Sequence, residues 1–116
     1  MNKLTDLFKV LSDETRLKIL VILYERKICV CQLQGLLNET QPKISKHLSI
    51  LRNMGFVKVE RKEQFIYYYI DEENQLLKEI LEKIIENSDN YPDLISIVNK
   101  AKQQEYLEEI KNKCKI

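Results

Sequence analysis

Two cysteines one residue apart, Cys29-Val30-Cys31, are the side chains of this 116-residue sequence best suited to chemistry. Thiolates are soft ligands that favour ions such as Cd(II), Pb(II) and As(III), whereas harder ions take carboxylates and water. The opening residues Met1-Asn2-Lys3-Leu4 lack a signal-peptide apolar core, so a reducing cytoplasmic location is expected. There, three cysteines with two closely spaced point to metal binding or redox chemistry and not to a disulfide framework. Arg26 and Lys27 precede the pair, and a helix that starts at Cys29 would add its positive end, so both favour thiolate over thiol. On a regular helix, residues i and i+2 point about 200° apart. Gripping one ion would then require a loosened first turn, which makes ion binding and an intact turn competing states. The plainer reading treats both cysteines as small core hydrophobes, although the same opposed geometry would leave one poorly buried.

A trigonal As(III) or Sb(III) site needs three thiolates, and Cd(II) or Pb(II) takes three or four soft ligands. The remaining cysteine is Cys114, which follows Leu107 and Ile110 at i+7 and i+4. It can pack on that face, belong to the tail, or supply the third thiolate, including across a dimer. A two-thiolate site completed by water or a buffer thiol is the alternative.

The elements that must position these sulfurs belong to a helix-rich protein. Hydrophobic residues make up 44% and charged residues 32%, with two Gly and two Pro, which excludes disordered and fibrous classes. The longest apolar run, Ile19 to Tyr24, is far too short to span a bilayer, so no membrane partner is expected. Net charge is only +1, but residues 41–70 carry six Lys/Arg against two Glu, while residues 71–116 carry seven Lys against eleven Asp/Glu. The middle of the chain therefore has the electrostatic footprint of a nucleic-acid binder.

Leu4, Leu7, Phe8 and Leu11 mark a short amphipathic helix. Ser12 can cap a second, with Asp13 and Glu14 in its first turn and Leu17, Ile19, Leu20, Ile22 and Leu23 along it. A third runs from Cys29 to Asn38. Thr40 can cap a fourth, with Pro42 in its first turn, Ile44, Leu48 and Leu51 on its inner face, and Gly55 as its stop. Phe56 to Val59 and Phe65 to Ile70 read as a β-hairpin around the charged segment Glu60 to Gln64. Without glycine at Lys62-Glu63-Gln64, a tight two-residue turn is not expected and a longer loop is. Leu76, Leu77, Ile80, Leu81, Ile84 and Ile85 mark a further helix, and Leu94 to Ile110 a last one. The order predicts a mainly α fold with a small β-hairpin, a dimeric winged helix-turn-helix. Residues 1–88 would form the DNA-binding and dimerisation domain, and residues 89–116 a C-terminal helical extension.

In such a fold the polar face of the fourth helix enters the major groove, so Gln41, Lys43, Ser45, Lys46 and His47 are the candidates for base and phosphate contacts. Any amphipathic helix has a solvated lysine-bearing face, and it is the basic hairpin that favours DNA. Arg61 and Lys62 at its tip can reach phosphates or a minor groove. His47 could be a ligand, a core residue or a DNA contact, and its place in Ser45-Lys46-His47-Leu48 favours the last. With no second histidine, a site built mainly from imidazole is not expected.

From Leu7 to Ile70 the chain resembles the ArsR/SmtB family of winged-helix metalloregulatory repressors. Phe8-Lys9-Val10-Leu11-Ser12-Asp13-Glu14-Thr15-Arg16-Leu17 looks like the approach to that family's second helix, and Cys29-Val30-Cys31-Gln32-Leu33 like the box of its arsenic and cadmium branch. Gln41-Pro42-Lys43-Ile44-Ser45-Lys46-His47-Leu48 is similar to its recognition helix, continued by Leu51-Arg52 and Gly55, which adds Arg52 to the expected DNA contacts. The chain departs from the family's arsenic pattern where Gln34 replaces a third cysteine and Gln32 an acid. The resemblance implies a homodimer that binds operator DNA without any cofactor and lets go when a thiophilic ion, As(III)/Sb(III) or Cd(II)/Pb(II), binds Cys29 and Cys31. A redox or persulfide sensor of the same fold is the alternative. An enzyme is not expected, because the sequence has no βαβ pattern, no C-x-x-C pair and no catalytic partner for Cys29.

Overall fold

The computed structural model describes residues 2–114, and side chains from Leu4 onward. Met1, Lys115 and Ile116, at the ends of the two expected segments, lie outside the described residues. The chain runs through α1 (Asn2–Leu11), α2 (Glu14–Glu25), β1 (Ile28–Cys29), α3 (Val30–Leu37), α4 (Gln41–Asn53), β2 (Val57–Lys62), β3 (Phe65–Ile70) and α5 (Gln75–Glu86). A 3-10 turn at Ser88–Asn90 leads into α6 (Pro92–Lys102) and α7 (Gln104–Cys114).

Helix α2 is the centre of the core because its sequence is apolar all round: Ile19, Leu20, Val21, Ile22 and Leu23 are all buried. A helix with no polar face must be enclosed by other elements, and α1, α4, α5, α6 and β3 do this. Its cap is Asp13, not Ser12. Asp13 has extended backbone and accepts the Arg16 N–H at 3.0 Å, while the Ser12 hydroxyl donates back to the Lys9 carbonyl and finishes α1.

The helix-turn-helix is α3, a short turn and α4. Asn38 ends α3 in the left-handed conformation at φ 53°, which asparagine tolerates well. Thr40 accepts the Lys43 N–H, Pro42 stands in the first turn of α4, and Gly55 at φ 81° follows its end. Ile44, Leu48 and Leu51 turn inward, as their spacing requires.

The hairpin is tighter than expected. Lys62 pairs with Phe65, so only Glu63 and Gln64 form the turn, and Glu63 takes the positive φ, 58°, that glycine usually supplies. Continuous pairing from Val57–Ile70 to Lys62–Phe65 holds a non-glycine residue there. β1 adds a third strand, giving the order β1-β3-β2, with Ile28 opposite Tyr68 and Cys29 opposite Tyr67. The architecture is a winged helix-turn-helix.

The last helix is two helices. Leu94, Ile97, Val98 and Ala101 repeat at helical spacing on α6, but the next buried residue is Leu107, out of phase with that face. The chain breaks at Gln103, whose ψ of 93° is extended, and α7 turns to pack on α3. The approach is close: a Cβ built on Gly35 would lie 2.9 Å from Cδ1 and Cγ2 of Ile110. Gly35→Val is therefore expected to lower the unfolding free energy by about 1–3 kcal/mol in a urea titration. Ile110→Ala in the same chain should recover part of that loss, and a Gly35→Val chain as stable as the parent would rule out this packing.

Candidate sensor and nucleic-acid interface

The outer face of α4 presents Gln41, Lys43 and Lys46, with Ser45 half-buried among them. Gln41 donates to the Ser45 hydroxyl at 2.7 Å, which orders one strip of that face. Lys43 is engaged with Glu39 at 3.0 Å. Arg52 lies exposed further along the helix, and Arg61 and Lys62 lie exposed on β2 beside the hairpin turn. Among the described residues, Lys46, Arg52, Arg61 and Lys62 take part in no ion pair, so their charges are open to an external anion.

His47 differs from the rest of the set. It is half-buried, and its Nδ1 is enclosed without a hydrogen-bond partner. Burial pushes its pKa down, the nearby Asp13 carboxylate opposes this, and the positive charges of Arg16, Lys43 and Lys46 reinforce it. Burial and the neighbouring positive charges thus favour the neutral form of His47.

The cysteines come together by a route different from the one their spacing suggests. Cys29 is the last residue of β1 and the cap of α3, with φ −90° and ψ 164°. Because its backbone is extended, the 200° opposition of helical i and i+2 positions does not apply. The Cys29 and Cys31 sulfurs lie 3.9 Å apart while α3 keeps its first turn. The expected competition between an intact turn and two converging sulfurs is therefore absent. Cys29 is buried at 2% exposure, and burial raises its pKa despite the main-chain N–H groups and the Lys111 charge that favour thiolate.

Cys114 joins the same cluster from within its own chain. It ends α7 and forms a disulfide with Cys31, across a Cα–Cα separation of 6.4 Å. With that bond formed, no set of three or more His, Cys, Asp and Glu side chains among the described residues is placed to hold an ion. Reduction would leave three thiols in one cluster, a donor set that fits a three-coordinate thiophilic ion.

Sequence alone assigns no role at the cluster to Gln32 or Lys111. Gln32 is buried and accepts the Cys29 N–H at 3.1 Å. Its position three residues after the cap is the capping-box spacing, which could have revealed it. Lys111 donates to the Tyr67 hydroxyl at 2.9 Å and sits over the rings of Phe65 and Tyr67. Nothing in the spacing of residues 67 and 111 signals that pairing.

Residues 13–59 match the profile described as bacterial regulatory protein, arsR family. The arsenical resistance operon repressor of Bacillus subtilis (strain 168) is 39% identical over 84 residues, covering 70% of this chain and 80% of that protein. The chain belongs to the ArsR family. Arsenic resistance transcriptional regulator ArsR2 of Pseudomonas putida is 46% identical over 69 residues, 59% of this chain and 60% of that one. Across the arsenic- and cadmium-resistance regulators it matches first, the ArsR-family chain spans 54 to 62% of their length. Among solved structures, HlyU from Vibrio cholerae N16961 superposes with a TM-score of 0.68 at 27% identity, covering 78% of this chain and 94% of that one.

Two measurements test the geometry of this ArsR-family site. Without reductant, the folded chain should show no fast-reacting thiol, one thiol on unfolding, and three after reduction and unfolding. Alkylation mapped by mass spectrometry should then label Cys29 alone before reduction, and label on Cys31 or Cys114 at that stage would exclude the disulfide. The second concerns Asp13, whose pKa is lowered chiefly by the Arg16 N–H. Its contribution is present above the unfolded carboxylate value and disappears as pH falls through the lowered folded value. Asp13→Ala should cost about 1 kcal/mol at neutral pH, and the difference from the parent should shrink as acid protonates the carboxylate.

Proposed function

We propose that this chain is a cytoplasmic, homodimeric transcriptional repressor that binds double-stranded operator DNA and releases it when a thiophilic ion binds Cys29, Cys31 and Cys114. The observation that carries this reading is the convergence of three sulfurs at the first turn of α3, the helix that leads into α4. As(III) or Sb(III) is favoured because the cluster offers three sulfurs and no carboxylate or imidazole, and Cd(II) or Pb(II) is accommodated by the same donors. Relatives named as arsenic- and cadmium-resistance regulators agree with that class.

In this reading Gln41, Lys43, Ser45, Lys46 and the half-buried His47 face the major groove, and Arg52 adds a phosphate contact. Arg61 and Lys62 supply wing contacts to phosphate. Dimerisation uses α1 and α5, where Leu4, Phe8 and Leu76 leave apolar surface exposed. No helix among the described residues is long and apolar enough to cross a membrane.

In the reduced chain Cys29, Cys31 and Cys114 would hold a thiophilic ion, and coordination at one centre would shift the end of β1, the first turn of α3 and the end of α7. Because α3 packs on α4, these shifts change how α4 is presented to the groove. A typical coupling of about 1–3 kcal/mol corresponds to roughly 5- to 150-fold weaker DNA binding.

The Cys31–Cys114 bond favours a second reading, in which an oxidant and not an ion is the signal. Two thiols give up two protons and two electrons to peroxide, forming one disulfide and two waters.

Operator binding titrations separate the two. Cys29→Ser and Cys31→Ser should leave operator binding intact in the reduced chain and abolish release by As(III). Release by peroxide that disappears in Cys114→Ser, with no response to As(III), would select the redox reading. Lys62→Ala should weaken binding about equally on all sequences and reduce the salt slope by about one. No change in that slope would take the wing off the DNA.

A further inference from the structure

Gln32 is a buried polar side chain that no step above uses, and its two ends touch two different elements. Its carboxamide oxygen accepts the Cys29 main-chain N–H at 3.1 Å and the Cys29 thiol at 3.3 Å. Its nitrogen donates to the Leu107 carbonyl on α7 at 3.0 Å, across 75 residues of sequence. The partners settle which end is which, because a main-chain N–H only donates and a main-chain carbonyl only accepts. One amide thus bridges the sulfur of Cys29 and a helix that ends in Cys114.

The bridge depends on what the sulfur carries. A thiol places a proton between Sγ and the Gln32 oxygen, so the contact is attractive. A sulfur bonded to an ion, or capped by a covalent group, has no such proton. Two lone-pair-bearing atoms then face each other in a buried site where neither reaches water. The side chain relieves this by moving its oxygen off the sulfur, which draws the NH2 away from the Leu107 carbonyl.

We propose that Gln32 is the positioning residue that couples the sulfur of Cys29 to α7, holding α7 against α3 while the sulfur is a thiol and releasing it when the sulfur is ligated or modified. The consequences follow from what α7 carries. Ile110 closes on Gly35 of α3, and Lys111 holds Tyr67 on the central strand of the wing. Release at Leu107 slackens both contacts, so a change at one sulfur reaches the helix-turn-helix and the hairpin together. The proposal rests on the reading of Cys29 as the sensing sulfur and adds the path by which its state leaves the site.

The test uses the reduced full chain with Cys114→Ser, so that α7 holds no ligand of its own, and Cd(II) as the probe. Sulfur-to-cadmium charge-transfer absorbance reports binding, and hydrogen exchange of the main-chain amides of residues 104–114 reports α7. Cd(II) should speed that exchange roughly fivefold, the value of one hydrogen bond. With Gln32→Leu added, the same absorbance should develop while α7 exchange, already fast, stays unchanged. Gln32→Glu, which keeps an acceptor for Cys29 but no donor for Leu107, should behave like Gln32→Leu and serves if that variant does not fold. Unchanged exchange on Cd(II) binding, or equal acceleration with and without Gln32, overturns the coupling. If no charge-transfer band forms either in this chain or in the reduced parent, the ligand reading of Cys29 fails by itself. The coupling is then read by methylthiolating Cys29 in a Cys31→Ser/Cys114→Ser chain: acceleration that depends on Gln32 upholds it, and its absence overturns it.

Discussion

The extended backbone at Cys29 carries three duties that would conflict at any helical position. As a strand residue it pairs with Tyr67 and ties β1 to the wing. As the cap of α3 it presents its N–H to Gln32. As a thiol it lies 3.9 Å from Cys31, which a regular helical turn would prevent. A residue with α-helical φ and ψ here would turn the two sulfurs apart and remove the pair from β1.

This placement ties the sulfur cluster to the wing. β3 is the middle strand, so Tyr67 is flanked by Cys29 on one side and Glu60 on the other, with Arg61 opposite the adjacent Ile66. The wing and the sulfur cluster therefore share one strand. On the helical side, α3 packs against both α4 and α7, and the close approach at Gly35 makes that packing sensitive to small shifts. Close-packed interiors pass on displacement because they contain little free volume to absorb it.

Much of this was legible locally. The inner face of α4, its Thr40 cap, Pro42 and the Gly55 stop follow from spacing and from the φ angles that proline and glycine allow, and the structure reproduces them. The charge excess over residues 41–70 placed the basic residues where the helix and hairpin expose them. Turn chemistry alone favours a longer hairpin loop, because it carries nothing of the strand pairing that offsets the strain at Glu63. The break at Gln103 has only a weak local signal, the phase change between Ala101 and Leu107, since both flanking segments are good helix formers.

The sequence by itself determined the helix-turn-helix, the hairpin and the presence of a soft-ligand pair, because these depend on side-chain periodicity, capping and composition within short windows. Only the tertiary structure decided that Cys29 is a strand residue, that Cys114 reaches Cys31 from α7, and that Gln32 spans the gap between them. Those facts depend on β1 finding β3 and on α7 closing over Gly35, contacts between residues 38 to 75 positions apart. Periodicity carries no information about such contacts, because each is set by how whole elements pack and not by the residues beside it.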